Sequence, residues 1–257
     1  MSKHNFFQTH ASRQARCCIR PATFQAMTPY EEALTREALR VYRRYAVEVV
    51  EQLGLCPWAE RARQEGHVAE RVVLTHEATD LDATLALIEE LDQRPEIEII
   101  LAIYPRLALA QKAFEGFVRH VRERDGERHP LGEIPFAMAA FHPDSPAVLA
   151  DPERLIPFLR RTPDPTIQLV RRSVLERVRG RRSQGTAFVD VSQLDLAALD
   201  AALSAPEDLR VVIARTNLET VQSKGVEAVE ALLADIRQDR DRAYAELSQR
   251  WPSQAGT

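Results

Sequence analysis

The stretch "EIEIILAIYP", residues 96–105, decides the fold class of this chain. Its first half alternates charged and apolar residues, and its second half is a short apolar run, which is the pattern of a β-strand that enters a buried sheet. On both sides of it, apolar residues recur at intervals of three or four, which predicts helices at 80–93 and 108–124. A strand between two helices indicates an α/β domain.

Strand and helix patterns continue to alternate on either side of this segment. Further strand patterns lie at 69–77, at 134–143 and, in "GTAFVDVS", at 185–192, and further helix patterns lie at 166–182 and 225–251. Because helices connect the strands, we predict a mixed or parallel sheet of about four strands, covered by helices and followed by a long C-terminal helix.

The chain organisation follows from its length and composition. The chain has 257 residues, of which 45% are hydrophobic and 28% charged, as in an ordinary globular protein. Residues 1–28 lack the apolar run of a secretory signal, and we predict a weakly ordered N-terminal extension there. Since neither an internal repeat nor a linker interrupts the rest, we predict that residues 29–250 form a single α/β domain.

Charge and cysteine usage narrow the class of partner. A net charge of −4 and a pI near 6.0 argue against nucleic acid, and no apolar run reaches the ~20 residues of a membrane span. Cys17, Cys18 and Cys56 do not make a disulfide framework, which is typical of a cytoplasmic protein. We therefore expect a small-molecule or peptide substrate, and a homodimer is compatible with the sequence.

The stretch "QLGLCPWAER", residues 52–61, contains the most informative cysteine. Gly54 is a natural end for the preceding helix pattern, and Pro57 suits the first turn of a new helix. Cys56 is therefore predicted at a helix N-cap, where the helix dipole favours a thiolate that could act as a nucleophile or a metal ligand. The alternative is a buried cysteine that serves as a small apolar plug. The preceding pattern has its apolar residues at Leu39, Tyr42, Val47, Val50 and Leu53.

A second candidate site lies in "AAFHPDSP", residues 139–146, where an apolar strand ends. Ligand sites in open α/β sheets gather outside the carboxyl ends of strands. His142 could act there as a general acid or base or as a metal ligand, with Asp144 held nearby by Pro143. The alternative is a turn in which Asp144 caps the next segment and His142 only packs.

The motifs "GLCPWA", "FHPD" and "RTPDPTIQLVRRS", in this order and spacing, resemble the family called domain of unknown function 1415 over about residues 45–225. The third motif departs from the family pattern, because Gln168 replaces a histidine and Arg172 replaces a glutamate, whereas Arg171 matches. The resemblance implies a site but no activity. We expect Cys56, His142, Asp144 and Arg171 around one pocket with Trp58 as its aromatic wall, and Gln168, Arg171 and Arg172 on one helical face.

Three functions are compatible with such a pocket. The preferred one is a biosynthetic oxidoreductase in which Cys56 ligates haem iron as a Cys-Pro thiolate, or in which Cys56 and His142 bind a non-haem metal. Trp58 and Arg171 would then contact the cofactor, while Gln168, Arg171 and Arg172 would bind the substrate.

The other two functions need no cofactor. In a transferase or hydrolase, Cys56 would be the nucleophile, His142 its base and Asp144 the group that orients the imidazole. In a protein without enzymatic activity, the same residues would bind a ligand, and the charged C-terminal helix would form an interface with a partner.

Overall fold

The computed structural model describes residues 27–129, 133–146, 148, 151–179 and 209–255. The predicted strand at 185–192 and residues 1–26 of the predicted extension lie outside this part of the chain. The described helices are α1 (Pro29–Arg44), α2 (Ala59–Gln64), α3 (Asp82–Asp92), α4 (Gln111–Glu127), α5 (Pro152–Leu159), α6 (Arg172–Arg179), α7 (Leu209–Lys224), α8 (Val226–Arg250) and α9 (Pro252–Ala255), and a π-helical segment (Tyr45–Glu51) continues α1.

The described strands form one mixed sheet at the centre of a single α/β domain. The strands are β1 (Val68–Val72), β2 (Ile99–Ile103), β3 (Phe136–Phe141) and β4 (Thr166–Arg171), in the order β1-β2-β4-β3. β1 and β2 are parallel, whereas β4 is antiparallel to both of its neighbours. The predicted α/β class, the mixed sheet of four strands and the long C-terminal helix are therefore confirmed.

The helix predicted at 166–182 is wrong in its first third, since Thr166–Arg171 is strand β4 and the helix begins only at Arg172. β-branched residues at positions 166, 167 and 170 suit a pleated strand. Both edges of β4 are hydrogen-bonded, to β2 and to β3, and this pairing outweighs the local helix pattern.

Each face of the sheet has its own hydrophobic core. One core joins Ile100, Ala102, Ile167 and Leu169 to α3 and α4. The other joins Leu101 and Ile103 to α1, α5, α7 and α8. We call the face with the first core the α4 face and the face with the second core the α1 face. None of the helices in the described part of the chain combines the length and the apolar character that a bilayer span requires.

The predicted helix before Gly54 is present, and four of its five predicted apolar residues, Leu39, Tyr42, Val50 and Leu53, belong to or pack against the core of the α1 face. Tyr45 and Val49 are buried as well, whereas Val47 is only partly buried. The helix ends in the π-helical segment, in which the Gln52 N–H donates to the Val47 carbonyl five residues back. Gly54 then adopts φ +64°, the left-handed conformation expected at this helix end.

A buried ion pair fastens α8 to the chain segment that leads into β4. Asp164, 0% exposed, accepts hydrogen bonds from the Arg240 Nε at 2.9 Å and from the Tyr244 hydroxyl at 2.7 Å. Burial raises the pKa of the Asp164 carboxyl, and Arg240 and the Tyr244 hydroxyl oppose that rise. Thr162 and Thr166 both donate to its backbone carbonyl, so the turn itself is fixed.

We predict that Arg240→Leu lowers the free energy of unfolding by about 3–5 kcal/mol, because it leaves a buried carboxylate without its cation. Urea unfolding followed by circular dichroism measures the change. Arg124→Leu is the control, since the Arg124–Glu127 pair is exposed and such pairs contribute about 0–1 kcal/mol. Equal losses in the two variants would contradict the proposed importance of the Asp164 pair.

Candidate functional site

A cavity of about 760 Å³ lies on the α1 face of the sheet. The sheet forms its floor through Ile99, Leu101 and Gln168. Its walls come from the π-helical segment, the turn that contains Cys56, and helices α5, α6 and α7. Most of the lining side chains are aliphatic or aromatic, so a bound molecule would leave water for a largely apolar environment.

Cys56 lines this cavity from a turn rather than from a helix N-cap. The Cys56 carbonyl accepts a hydrogen bond from the Ala59 N–H at 3.2 Å, which places Pro57 second in a four-residue turn, where its fixed φ is favourable. Helix α2 begins at Ala59 with Trp58 as its N-cap. The predicted N-cap position of Cys56 is therefore wrong, and α2, with six residues, is too short to support the dipole argument. Cys56 is a free, partly buried thiol.

Two aromatic side chains line the cavity together with this thiol. Trp58, 37% exposed, also lines the cavity, in the position expected for an aromatic wall. The hydroxyl of Tyr45 donates to the Leu159 carbonyl at 2.6 Å, and burial raises the pKa of Tyr45. Arg160 opposes that rise, and Cys56 adds to it. Tyr45 therefore stays protonated at neutral pH.

Two carboxamides face the cavity from different elements. Gln168 stands in central strand β4, between Leu101 of β2 and Ala139 of β3. Asn217 is on α7, on the helix face that also presents Ile213 to the cavity, and it is 8% exposed. Gln168 is partly buried, and neither side chain is hydrogen-bonded to any other residue that the structure describes. Both amides are thus available to a bound molecule.

The charged residues around the cavity are mostly paired with one another. Glu51 accepts two hydrogen bonds from Arg63, at 2.6 and 2.8 Å. Glu70 accepts one from Arg43 at 2.7 Å. The Arg160 guanidinium lies 5.1 Å from the centre of the Phe141 ring, a cation–π distance. These pairs leave little net charge at the cavity wall.

The expectation that His142 shares a pocket with Cys56 is wrong, because His142 lies on the α4 face. Its Nε2 is 2.9 Å from the Leu109 carbonyl, its Nδ1 accepts the Asp144 N–H at 3.1 Å, and its ring centre is 5.9 Å from that of Phe114. The side chain is buried at 3% exposure, with both ring nitrogens engaged. His142 therefore cannot serve as the base for Cys56 or as a second metal ligand beside it.

Asp144 does not orient the His142 ring through its carboxylate, as had been expected. The carboxylate is exposed and pairs with Arg237 at 2.7 Å, and only the Asp144 backbone reaches the imidazole. The FHPD motif is thus a turn in which the histidine ring receives the backbone N–H two residues later. His142 thus packs as in the alternative considered for this motif, whereas the Asp144 carboxylate, expected there to cap the next segment, pairs with Arg237.

Arg171 and Arg172 are also absent from the cavity wall. Because Arg171 is three residues after Gln168 in a strand, it points to the α4 face, where it pairs with Asp92 at 2.9 Å and stacks on Phe136 at 4.6 Å. Arg172 is exposed at the start of α6. The expected helical face of Gln168, Arg171 and Arg172 is therefore wrong, and of the three only Gln168 lines the cavity.

Asn217, Tyr45 and Arg160 also line the cavity, and the sequence did not predict them there. The signal for Asn217 was present in "ARTNLETVQSKG", because an asparagine four residues after Ile213 falls on an otherwise apolar helix face. Tyr45 resembled an ordinary core position, and nothing near Arg160 marked it. Among the described residues, no group of three or more His, Cys, Asp or Glu side chains is arranged to hold a metal ion.

One comparison with known proteins gave a match. The model of a family described as "Protein of unknown function (DUF1415)" matches residues 37–188. This range contains Cys56, His142 and Gln168, and ends before α7 with Asn217. No curated protein and no solved structure matches the chain.

We predict that His142→Ala lowers the free energy of unfolding by about 1–3 kcal/mol, because the Leu109 carbonyl and the Asp144 N–H lose their partner. The rate at which iodoacetamide alkylates Cys56 should stay unchanged, because the two residues lie on opposite faces of the sheet. Urea unfolding and mass spectrometry provide the two measurements. His120→Ala, an exposed position on α4, is the matched control. A large fall in the alkylation rate in His142→Ala alone would show that the imidazole does act on the thiol.

Proposed function

The chain belongs to the DUF1415 family of proteins of unknown function, and we propose that it is an enzyme whose Cys56 thiol reacts with a small organic molecule bound in the cavity. The observation that carries this proposal is the meeting of three features in one cavity. A free thiol, two carboxamides without partners among the described residues and apolar walls all face the same space. None of these features alone would indicate an enzyme.

The cavity has the dimensions of a small-molecule site. Its volume of about 760 Å³ lies within the range of about 300–1,000 Å³ that is usual for such pockets. Its composition, apolar with a few polar groups, is also the usual one. The π-helical segment supports the proposal as well, because π-helical turns occur frequently at functional sites and this one supplies Tyr45, Ala46 and Val50 to the wall.

The thiol is the group in the cavity that is best suited to covalent chemistry. Cysteine is intrinsically the most nucleophilic side chain near neutral pH. In a group transfer, the sulfur of Cys56 forms a bond to an electrophilic carbon as the bond to the leaving group breaks. The leaving group departs with the bonding electron pair and takes up the thiol proton. A reduced thiol with this role fits the cytoplasmic location expected from the sequence.

Haem ligation by Cys56 is a second candidate function, and two observations favour it. The Cys56–Pro57 turn faces the cavity, and the cavity is apolar and has sufficient volume for a large planar group. A thiolate on haem iron favours cleavage of an O–O bond. Cys56 and His142 were the two predicted metal ligands. Since His142 lies on the other face of the sheet, only Cys56 of this pair could bind the iron.

We predict that p-nitrophenyl hexanoate acylates Cys56 with a burst of about one equivalent of p-nitrophenol, because burst kinetics are the signature of an acyl-enzyme. The protein for this test carries Cys17→Ser and Cys18→Ser, so that Cys56 is the remaining thiol. Adding Cys56→Ser should abolish the burst and leave the melting temperature nearly unchanged. Stopped-flow absorbance and mass spectrometry of the acylated peptide give the result.

Two outcomes of this experiment would contradict the proposed thiol chemistry. The first is a Cys56 that neither acylates nor alkylates in the folded protein. The second is a Cys56→Ser protein destabilised by about 1–3 kcal/mol, as expected when a hydroxyl replaces a buried apolar plug. Expression in haem-supplemented medium separates the second candidate function, because a Soret band that disappears in Cys56→Ser would assign the thiol to iron.

A further inference from the structure

We infer that the molecule bound in the cavity carries an uncharged group that both donates and accepts hydrogen bonds, such as a carboxamide, a lactam or a ureide. This inference rests on the proposed function and names the substrate class of that site. It is carried by Gln168 and Asn217, whose side chains face the cavity, and by the balance of charge around them.

The position of Gln168 favours a ligand that forms hydrogen bonds. Gln168 stands in the middle of β4, with strands hydrogen-bonded on both sides, and its neighbours across the sheet are Leu101 and Ala139. A hydrocarbon side chain would suit this position better if the cavity bound only apolar groups, because a polar group removed from water without a partner costs about 1–3 kcal/mol. A ligand that hydrogen-bonds to the amide removes that cost.

Asn217 presents the same chemistry from a different wall. It is 8% exposed, it lies on the cavity face of α7, and no described residue is hydrogen-bonded to its side chain. Gln168 reaches the cavity from the sheet, so the two carboxamides belong to separate elements of the fold. Two independent amides facing one apolar cavity indicate a ligand with polar groups to match them.

The hydrogen-bonding atoms of the two carboxamides determine which polar group the ligand needs. Each amide offers one carbonyl that accepts and one NH₂ that donates. A carboxylate ligand could only accept, and would leave both amide carbonyls unmatched. An ammonium ligand could only donate, and would leave both NH₂ groups unmatched. A neutral group with a carbonyl and an N–H satisfies both kinds of atom.

The charges on the wall support a neutral ligand. Among the lining residues that the structure describes, the carboxylates are Glu51, Glu70 and Glu153, and the guanidiniums are Arg63 and Arg160. Glu51 is already neutralised by Arg63, and Glu70 by Arg43. The wall therefore has no surplus of positive charge for an anion. Its carboxylates are largely committed to arginines and do not form a cation site either.

The test compares three probes that share one apolar part, namely 4-phenylbutanamide, 4-phenylbutyrate and 4-phenylbutylamine. Isothermal titration calorimetry with the full chain at pH 7 gives the three dissociation constants. We expect the amide to bind about tenfold more tightly than the acid or the amine, since unmatched buried polar atoms each cost about that factor. Gln168→Leu and Asn217→Leu should each weaken amide binding about tenfold and bring the three probes closer together.

A variant on the other side of the sheet serves as the control for these binding measurements. Gln111→Leu, on α4 across the sheet, should leave all three dissociation constants unchanged. Cys56→Ser should keep the preference for the amide, because probe binding does not use the thiol, so this test is independent of the proposed thiol chemistry. The inference is overturned if the acid or the amine binds as tightly as the amide, if no probe binds at millimolar concentration, or if the preference survives in both leucine variants.

Discussion

Successive side chains of a β-strand point to opposite faces of the sheet, and this alternation decides which motif residues of the protein can act together. Phe141 is on the α1 face, and the next residue, His142, is on the α4 face. Gln168 faces the cavity, and Arg171 faces Phe136 on the other side. An odd number of residues along the chain thus separates a cavity residue from a residue that stabilises the core.

The two faces also differ in how tightly they are filled. On the α4 face, the rings of Tyr104, Phe114 and Phe117 pack edge to face or stacked, and the Tyr104 hydroxyl bonds to Thr84 within the core. On the α1 face, helices surround an open cavity, and the π-helical segment forms part of its wall. A densely packed side gives the sheet rigidity, which lets the other side keep a defined space for a ligand.

The sequence predicted those features that depend on local pattern, and it failed where distant partners decide. Strand 99–103 and helix 111–127 have clear periods, and Gly54 ends its helix as predicted. Strand β4 was not predicted, because its six residues directly precede a helix and their local pattern does not reveal that β2 and β3 pair with them. The site was half right for the same reason: Cys56, Trp58 and Gln168 meet at the cavity, but no short motif shows on which face of a sheet its histidine lies.

The separation of His142 from Cys56 changes the kind of thiol chemistry that the site can support. Cysteine enzymes that cleave unactivated amides use a neighbouring imidazole to take the thiol proton and return it to the leaving group. The described residues on this cavity wall include no histidine, and Glu51 and Glu70 are paired with arginines. Without such a base, rates depend on the electrophile itself. The substrate that the site would serve best therefore combines a neutral hydrogen-bonding group, for Gln168 and Asn217, with a separate carbon that is already activated toward sulfur.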